Sequence, residues 1–119
     1  MLNLDDQSVY PSSDKYGMAQ QIRGLPGQCR QAWDKASQFK LPPDYSRVDK
    51  VVILGMGGSA IGGDLLKGLT APLSRPLVLV QRDYDLPGWV DERTLVIGAS
   101  YSGNTEETLS AFAQALKKN

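Results

Sequence analysis

The chain has 119 residues, 13 basic and 13 acidic side chains, one cysteine and no histidine. That length supports one modest core, and the balanced charge gives no long-range field for nucleic acid or an anionic membrane. The lone Cys29 excludes an internal disulfide, and the missing histidine excludes a zinc site of the usual Cys/His kind and any imidazole base from this chain. Met1 to Tyr10 is polar and acidic, without the basic region and apolar core of a signal peptide, and no apolar run approaches the roughly 20 residues that cross a bilayer. The chain is therefore expected to be soluble and cytoplasmic.

Residues 1 to 14 offer few apolar anchors, and Pro11-Ser12-Ser13-Asp14 reads as a turn. Met18, Ile22, Leu25, Cys29, Trp33, Ala36 and Phe39 recur at helical spacing. Gly24, Pro26 and Gly27 predict a break between a short helix near 14 to 23 and a second near 27 to 39. The same spacing assigns Trp33 and Cys29 to packing rather than to ligand contact or reactivity. Leu41-Pro42-Pro43-Asp44-Tyr45 reads as a linker, dividing a lead-in and helical segment at 1–44 from a second region at 45–119.

That second region alternates strand and helix. Strands are predicted at Lys50 to Leu54, Leu77 to Val80 and Thr94 to Gly98. Helices are predicted at Ala60 to Leu69, with Ile61, Leu65, Leu66 and Leu69 on one face, and at 105 to 117, with Leu109, Phe112, Ala113 and Leu116 on one face. Ala71 to Pro76 returns the chain to the sheet, and Gln81 to Val90 is a polar connection. Asn104 is the expected cap of the last helix, with Glu107 three residues on. Right-handed crossovers make this a parallel αβα unit whose loops after the first and third strands share the carboxyl edge. Three strands are few for such a sheet, so the sequence reads as a piece of a longer protein with an edge free to pair, and a homodimer is expected.

Two loops carry candidate chemistry. Gly55-Met56-Gly57-Gly58-Ser59-Ala60 follows a buried apolar run, and glycines there let backbone amides converge on a phosphate at a helix start. The same residues fit a dinucleotide fingerprint, with Asp83 placed for an adenosine ribose or Arg82 for a 2′-phosphate, and both readings stay open at this loop. Gly62-Gly63 demands an explanation, either a later helix start or a surface approaching closely. Asp64 reads either as a ligand contact or as a first-turn acid facing the helix dipole. In Ser100-Tyr101-Ser102-Gly103-Asn104-Thr105, three hydroxyls and the free amides of a helix start can surround phosphate oxygens without a lysine. Glu106 and Glu107 should point aside, and Ser59 has no base with which to act as a nucleophile.

Taken together, Gly55 to Asp64 and Ser100 to Leu109 closely resemble the sugar isomerase (SIS) domain family, in its bifunctional phosphoglucose/phosphomannose isomerase branch, over roughly residues 45 to 118. The resemblance implies an incomplete three-layer αβα sandwich around a parallel sheet, of flavodoxin-like or Rossmann-like type, preceded by a short helical segment. It implies that Gly57, Gly58 and Ser59 line a sugar site and that Ser100, Ser102 and Thr105 hold the phosphate. It implies isomerisation of fructose 6-phosphate with glucose 6-phosphate or mannose 6-phosphate, without metal or redox cofactor. The glutamate, histidine, lysine and arginine that the family uses have no motif match here, so these 119 residues alone are expected to be inactive. A non-catalytic sugar-phosphate-sensing SIS module and an NADP-binding domain are the alternative readings.

Overall fold

Lys50–Gly55 forms β1, and from Val51 to Gly55 every residue is buried. Four successive apolar side chains, three of them β-branched, have no polar face to offer water, so this segment folds only where both faces are covered. The computed structural model, which describes residues 3, 5–73 and 76–118, places it at the centre of a parallel sheet of order β2-β1-β3, with β2 at Leu77–Gln81 and β3 at Thr94–Ala99. Val52 is in register with Leu79 on one side and Val96 on the other. Residues 74 and 75 of the connection expected at Ala71 to Pro76 lie outside the described residues.

The chain divides into two compact units, Met1–Leu41 and Pro42–Asn119. The first contains a 3-10 turn, Gln7–Val9, a single helical turn α1, Tyr10–Ser13, and the long helix α2, Met18–Ser37. The expected break in this region is absent: α2 runs through Pro26. A proline deletes one amide donor and crowds the preceding turn, a cost of about 3 kcal/mol, but it leaves the remaining ladder to the alanine, glutamine and arginine residues on either side, which are good helix formers. The Asp14 carboxylate accepts the amides of Met18 at 2.6 Å and Ala19 at 2.8 Å, satisfying two orphan donors of the first turn. Those bonds, Ala19 first, hold the Asp14 carboxyl below its ordinary value. No residue of α2 is buried, and Trp33 is 74% exposed. The packing role read for Trp33 and Cys29 is therefore not met among the described residues, where both side chains are exposed.

In the second unit, β1 is followed by α3, Gly57–Thr70, and β3 by α4, Glu106–Leu116. Alternate residues of β1 serve opposite faces. Val51 and Ile53 join Val78 under α3, while Val52 and Leu54 join Leu86, Val90 and Ala111 under α4. The result is an αβα sandwich with an open sheet, the layer arrangement expected of a SIS-type domain.

α3 begins three residues earlier than the spacing predicted, and Gly63 explains the glycine pair. A Cβ at Gly63 would lie 2.9 Å from Val80 Cγ2 and 3.2 Å from Ile53 Cδ1, so glycine lets the helix sit directly on the strands, whereas a Cβ at Gly62 would meet nothing within 4 Å. The close approach turns Ala60 and Gly63 inward and leaves Ile61, Leu65 and Leu69 exposed, contrary to the apolar face expected. α4 behaves similarly: Thr108 and Ala111 are buried, while Leu109 and Leu116 are exposed.

The amino end of the sheet is fastened by charge. Lys50 Nζ lies 2.6 Å from Asp91, which also accepts the Thr94 hydroxyl at 2.8 Å, and Arg93 pairs with Asp49 at 2.9 Å. The hydrogen bond from Lys50, then that from Thr94, draws the Asp91 carboxyl from 3.8 down to about 2. A carboxyl lowered on folding stabilises the native state above its unfolded value, and the contribution is lost as pH falls through the folded value. Wild type should therefore melt above Asp91→Asn at neutral pH, and thermal melts recorded down the pH scale should show that margin shrinking between about pH 4 and about pH 2. A margin independent of pH over that window would show that Asp91 acts through geometry alone.

Candidate functional site

The strand order places the site. β1 leads through α3 to β2 on one side, and β3 lies on the other side of β1, so the direction of winding reverses between β1 and β3. In an open parallel sheet the crevice beyond the carboxyl ends at such a reversal is where ligands sit. The loops beginning at Met56 and Ser100 flank that crevice.

After β1 the chain must turn sharply. Gly55 is packed so closely against the end of β3 that a Cβ would lie 2.9 Å from the Ala99 carbonyl oxygen, and Gly57 takes φ +50°. α3 then starts with Met56 as its N-cap and no side-chain cap bond. Ser59 is half-buried, and its hydroxyl accepts the Tyr101 amide at 3.3 Å, tying the first loop to the second. Gly57 and Gly58 are exposed at this helix start.

After β3, Ser100 Oγ lies 2.9 Å from Thr105 Oγ1 and 3.4 Å from Ser102 Oγ, and Ser102 Oγ lies 3.4 Å from Thr105 Oγ1. The three expected hydroxyls thus form one triangle. Ser100 Oγ also accepts the Gly103 amide at 3.1 Å, which fixes the turn that Gly103 completes at φ +69°. Thr105, not Asn104, is the N-cap of α4, and it makes no side-chain cap bond. The physical reason is competition: Thr105 turns its hydroxyl to Ser100, while the Asn104 amide donates to Ser102 Oγ at 3.3 Å. Two helix starts, neither satisfied by a side chain, therefore stand together at one crevice, each with the partial positive charge of its free amides. Tyr101 projects fully into solvent.

Neighbouring groups are committed elsewhere. Arg82 pairs with Asp64, so Asp64 lies well inside α3 rather than in its first turn and is engaged by a cation. Asp83 accepts the Tyr84 amide at 2.7 Å. The Tyr84 hydroxyl donates to Glu106 Oε2 at 3.4 Å, and the charge of Glu107, then burial and Glu106, raise the phenol above its ordinary value. Gln114 was not singled out by spacing, yet its amide donates to the Tyr84 carbonyl at 2.8 Å and its carbonyl accepts the Leu86 amide at 3.1 Å, pinning the connection to α4. A glutamine one turn after Ser110, among the apolar residues of the second half of the helix, was the available signal. Among the described residues no group of histidine, cysteine and carboxylate side chains is placed to hold a metal ion, and no helix is long and apolar enough to cross a membrane.

Comparison with known proteins finds relatives over part of the chain. No protein-family model matches the chain, and no solved structure matches it significantly. The chain is 46% identical over 101 residues to a bifunctional phosphoglucose/phosphomannose isomerase of Caldicellulosiruptor bescii, a match covering 85% of this chain and 30% of the relative. It is 49% identical over 73 residues to the protein of that name from Thermoplasma volcanium, covering 61% of this chain and 23% of the relative. It is also 40% identical over 73 residues to a D-glucosamine-6-phosphate 4-epimerase of Sulfolobus acidocaldarius, covering 61% of this chain and 22% of the relative. The chain thus spans less than a third of the length of these relatives and is homologous, over that part, to bifunctional phosphoglucose/phosphomannose isomerases.

Proposed function

We propose that the chain grips a sugar phosphate, as the phosphate-holding part of an aldose-ketose isomerase that interconverts fructose 6-phosphate with glucose 6-phosphate or mannose 6-phosphate. The observation that carries this reading is the pair of uncapped helix starts joined through Ser59 and Tyr101, with the Ser100, Ser102 and Thr105 hydroxyls gathered beside them. Amides and neutral hydroxyls, arranged around one point, suit a tetrahedral dianion and select it by geometry. Gly57, Gly58 and Ser59 then form the sugar-facing wall, and Ser100, Ser102 and Thr105 hold the phosphate.

The relatives support the division of labour. Their names give two different reactions, isomerisation and 4-epimerisation, yet each names a phosphorylated sugar. A region similar to both is suited to holding what the two substrates share, and the proton-transfer groups belong elsewhere. That division is supported by the lack of histidine and by the engagement of Glu106 with the Tyr84 hydroxyl. The reading includes a homodimer in the cytoplasm and no catalysis by this chain alone.

Thermal-shift assays with glucose 6-phosphate, fructose 6-phosphate, inorganic phosphate and NADPH test it. Both sugar phosphates should raise Tm, by roughly RT ln(1 + [L]/Kd) expressed as stability, with phosphate weaker and NADPH inert. The pairing of Arg82 with Asp64 removes the cation that a 2′-phosphate would need, so stabilisation by NADPH alone would overturn the assignment.

A further inference from the structure

The two helix starts at the crevice differ in charge. α3 has no acidic residue in its first turn, whereas α4 opens with Glu106 and Glu107 directly after the Thr105 cap. Carboxylates at that position favour the helix, because they settle against the positive end of its dipole. The same attraction makes them rivals of a phosphate held by the free amides of α4 beside the Ser100, Ser102 and Thr105 hydroxyls. A carboxylate turned toward those amides would occupy them and repel a dianion.

Tyr84 offers one of these acids another partner. Its hydroxyl donates to Glu106 Oε2 at 3.4 Å, 22 residues away in sequence. The charge of Glu107, then burial and Glu106, hold the phenol above its ordinary value, so it stays a proton donor beside both acids. Its place is fixed through the backbone. The Tyr84 carbonyl accepts the Gln114 amide at 2.8 Å, the Gln114 carbonyl accepts the Leu86 amide at 3.1 Å, and the Tyr84 amide donates to Asp83 at 2.7 Å. Leu86 and Val90, buried with Ala111, anchor the rest of the connection on α4. The ring itself is 47% exposed, so its burial accounts for little, and the reach of its hydroxyl to the first turn is what the residue adds. We propose that Tyr84 is a positioning residue for anion binding, which holds Glu106 aside and so leaves the amides at the start of α4 open to the phosphate. The inference rests on the phosphate-holding reading above and explains how two acids are tolerated beside that grip.

The test is isothermal titration of glucose 6-phosphate into the 119-residue chain and its Tyr84→Phe, Glu106→Gln and doubly substituted variants. At an ionic strength of about 0.01 M, Tyr84→Phe should weaken binding roughly five- to ten-fold, the effect of a unit charge brought to about 7 Å from a dianion in water. At about 1 M salt, where the Debye length is about 3 Å, the difference should vanish. With Glu106→Gln already present, Tyr84→Phe should change affinity by less than about two-fold, because no charge remains to be held. Phenol titration reads the contact without ligand: Glu106→Gln should bring Tyr84 down toward its ordinary value. An equal loss in both backgrounds, a loss indifferent to salt, or a phenol unmoved by Glu106→Gln would overturn the proposal. A wild type that binds while Tyr84→Phe binds equally well overturns this proposal alone, whereas a wild type that binds neither glucose 6-phosphate nor inorganic phosphate overturns the phosphate-holding reading and this proposal with it.

Discussion

Gly55→Ala is expected to lower stability by about 3 kcal/mol, the upper end of what one added methyl group costs in a packed interior. The added Cβ would lie 2.9 Å from the Ala99 carbonyl oxygen, 3.5 Å from the Ala99 Cβ and 3.5 Å from the Ala60 amide nitrogen. Two of these three neighbours are backbone, which cannot swing aside as a side-chain tip can. Relief would require β1 and β3 to separate at the register pair Gly55 and Ala99, where both functional loops begin. For a domain of this size the loss corresponds to a fall in Tm of more than about 10 °C. Gly62→Ala is the matched control. Its Cβ would meet nothing within 4 Å, and an alanine inside a helix is favoured over glycine, so a gain of about 0.5 to 1 kcal/mol is expected. A Gly55→Ala protein melting within about 2 °C of wild type would show that the strand ends accommodate the methyl group, and the close-approach account would fail.

These two glycines also mark the limits of the sequence as a guide. The three strands were legible because a run such as Val51 to Leu54 has one physical solution, and the observed strands exceed the predicted ones only by Gly55, Gln81 and Ala99. The loops were legible as loops, because glycine and hydroxyl residues after such runs mark turns that bind anions. Helix faces were not. Period 3.6 identifies an apolar stripe but not its neighbour, and Gly63, without a side chain, proved to be the inward residue of α3 while Ile61 and Leu65 point out. The single helix through Pro26 was missed because one proline penalty is smaller than the summed preference of the residues flanking it. Asn104 lost the capping position to Thr105 because the bond between Thr105 and Ser100 joins residues five apart through a turn whose shape no propensity encodes. The same holds for the pairing of Arg82 with Asp64, 18 residues apart.

Ser100→Ala should have the largest effect on ligand binding, because Ser100 Oγ is the vertex at which the other groups meet. It touches Thr105 Oγ1 at 2.9 Å and Ser102 Oγ at 3.4 Å, and it receives the Gly103 amide at 3.1 Å. On the proposed reading, removing it deletes one phosphate donor and releases the turn that aims the other two. Hydrogen bonds to a charged partner are worth about 1.5 to 3 kcal/mol, so glucose 6-phosphate affinity should fall roughly 10- to 150-fold in isothermal titration. Ser102→Ala, which leaves that vertex in place, should cost about 1 to 2 kcal/mol. Inorganic phosphate separates grip from recognition. Ser100→Ala should weaken phosphate and glucose 6-phosphate by similar factors, since both lose the same contact. Ser59→Ala should weaken the sugar phosphate more than the free anion, because Ser59 stands on the first loop, across the bond to the Tyr101 amide. Tyr101→Ala is the neutral reference, its ring being wholly in solvent. If Ser100→Ala binds both ligands as wild type does, the hydroxyl triangle is only a device that shapes the turn, and the phosphate must be sought at the start of α3 alone.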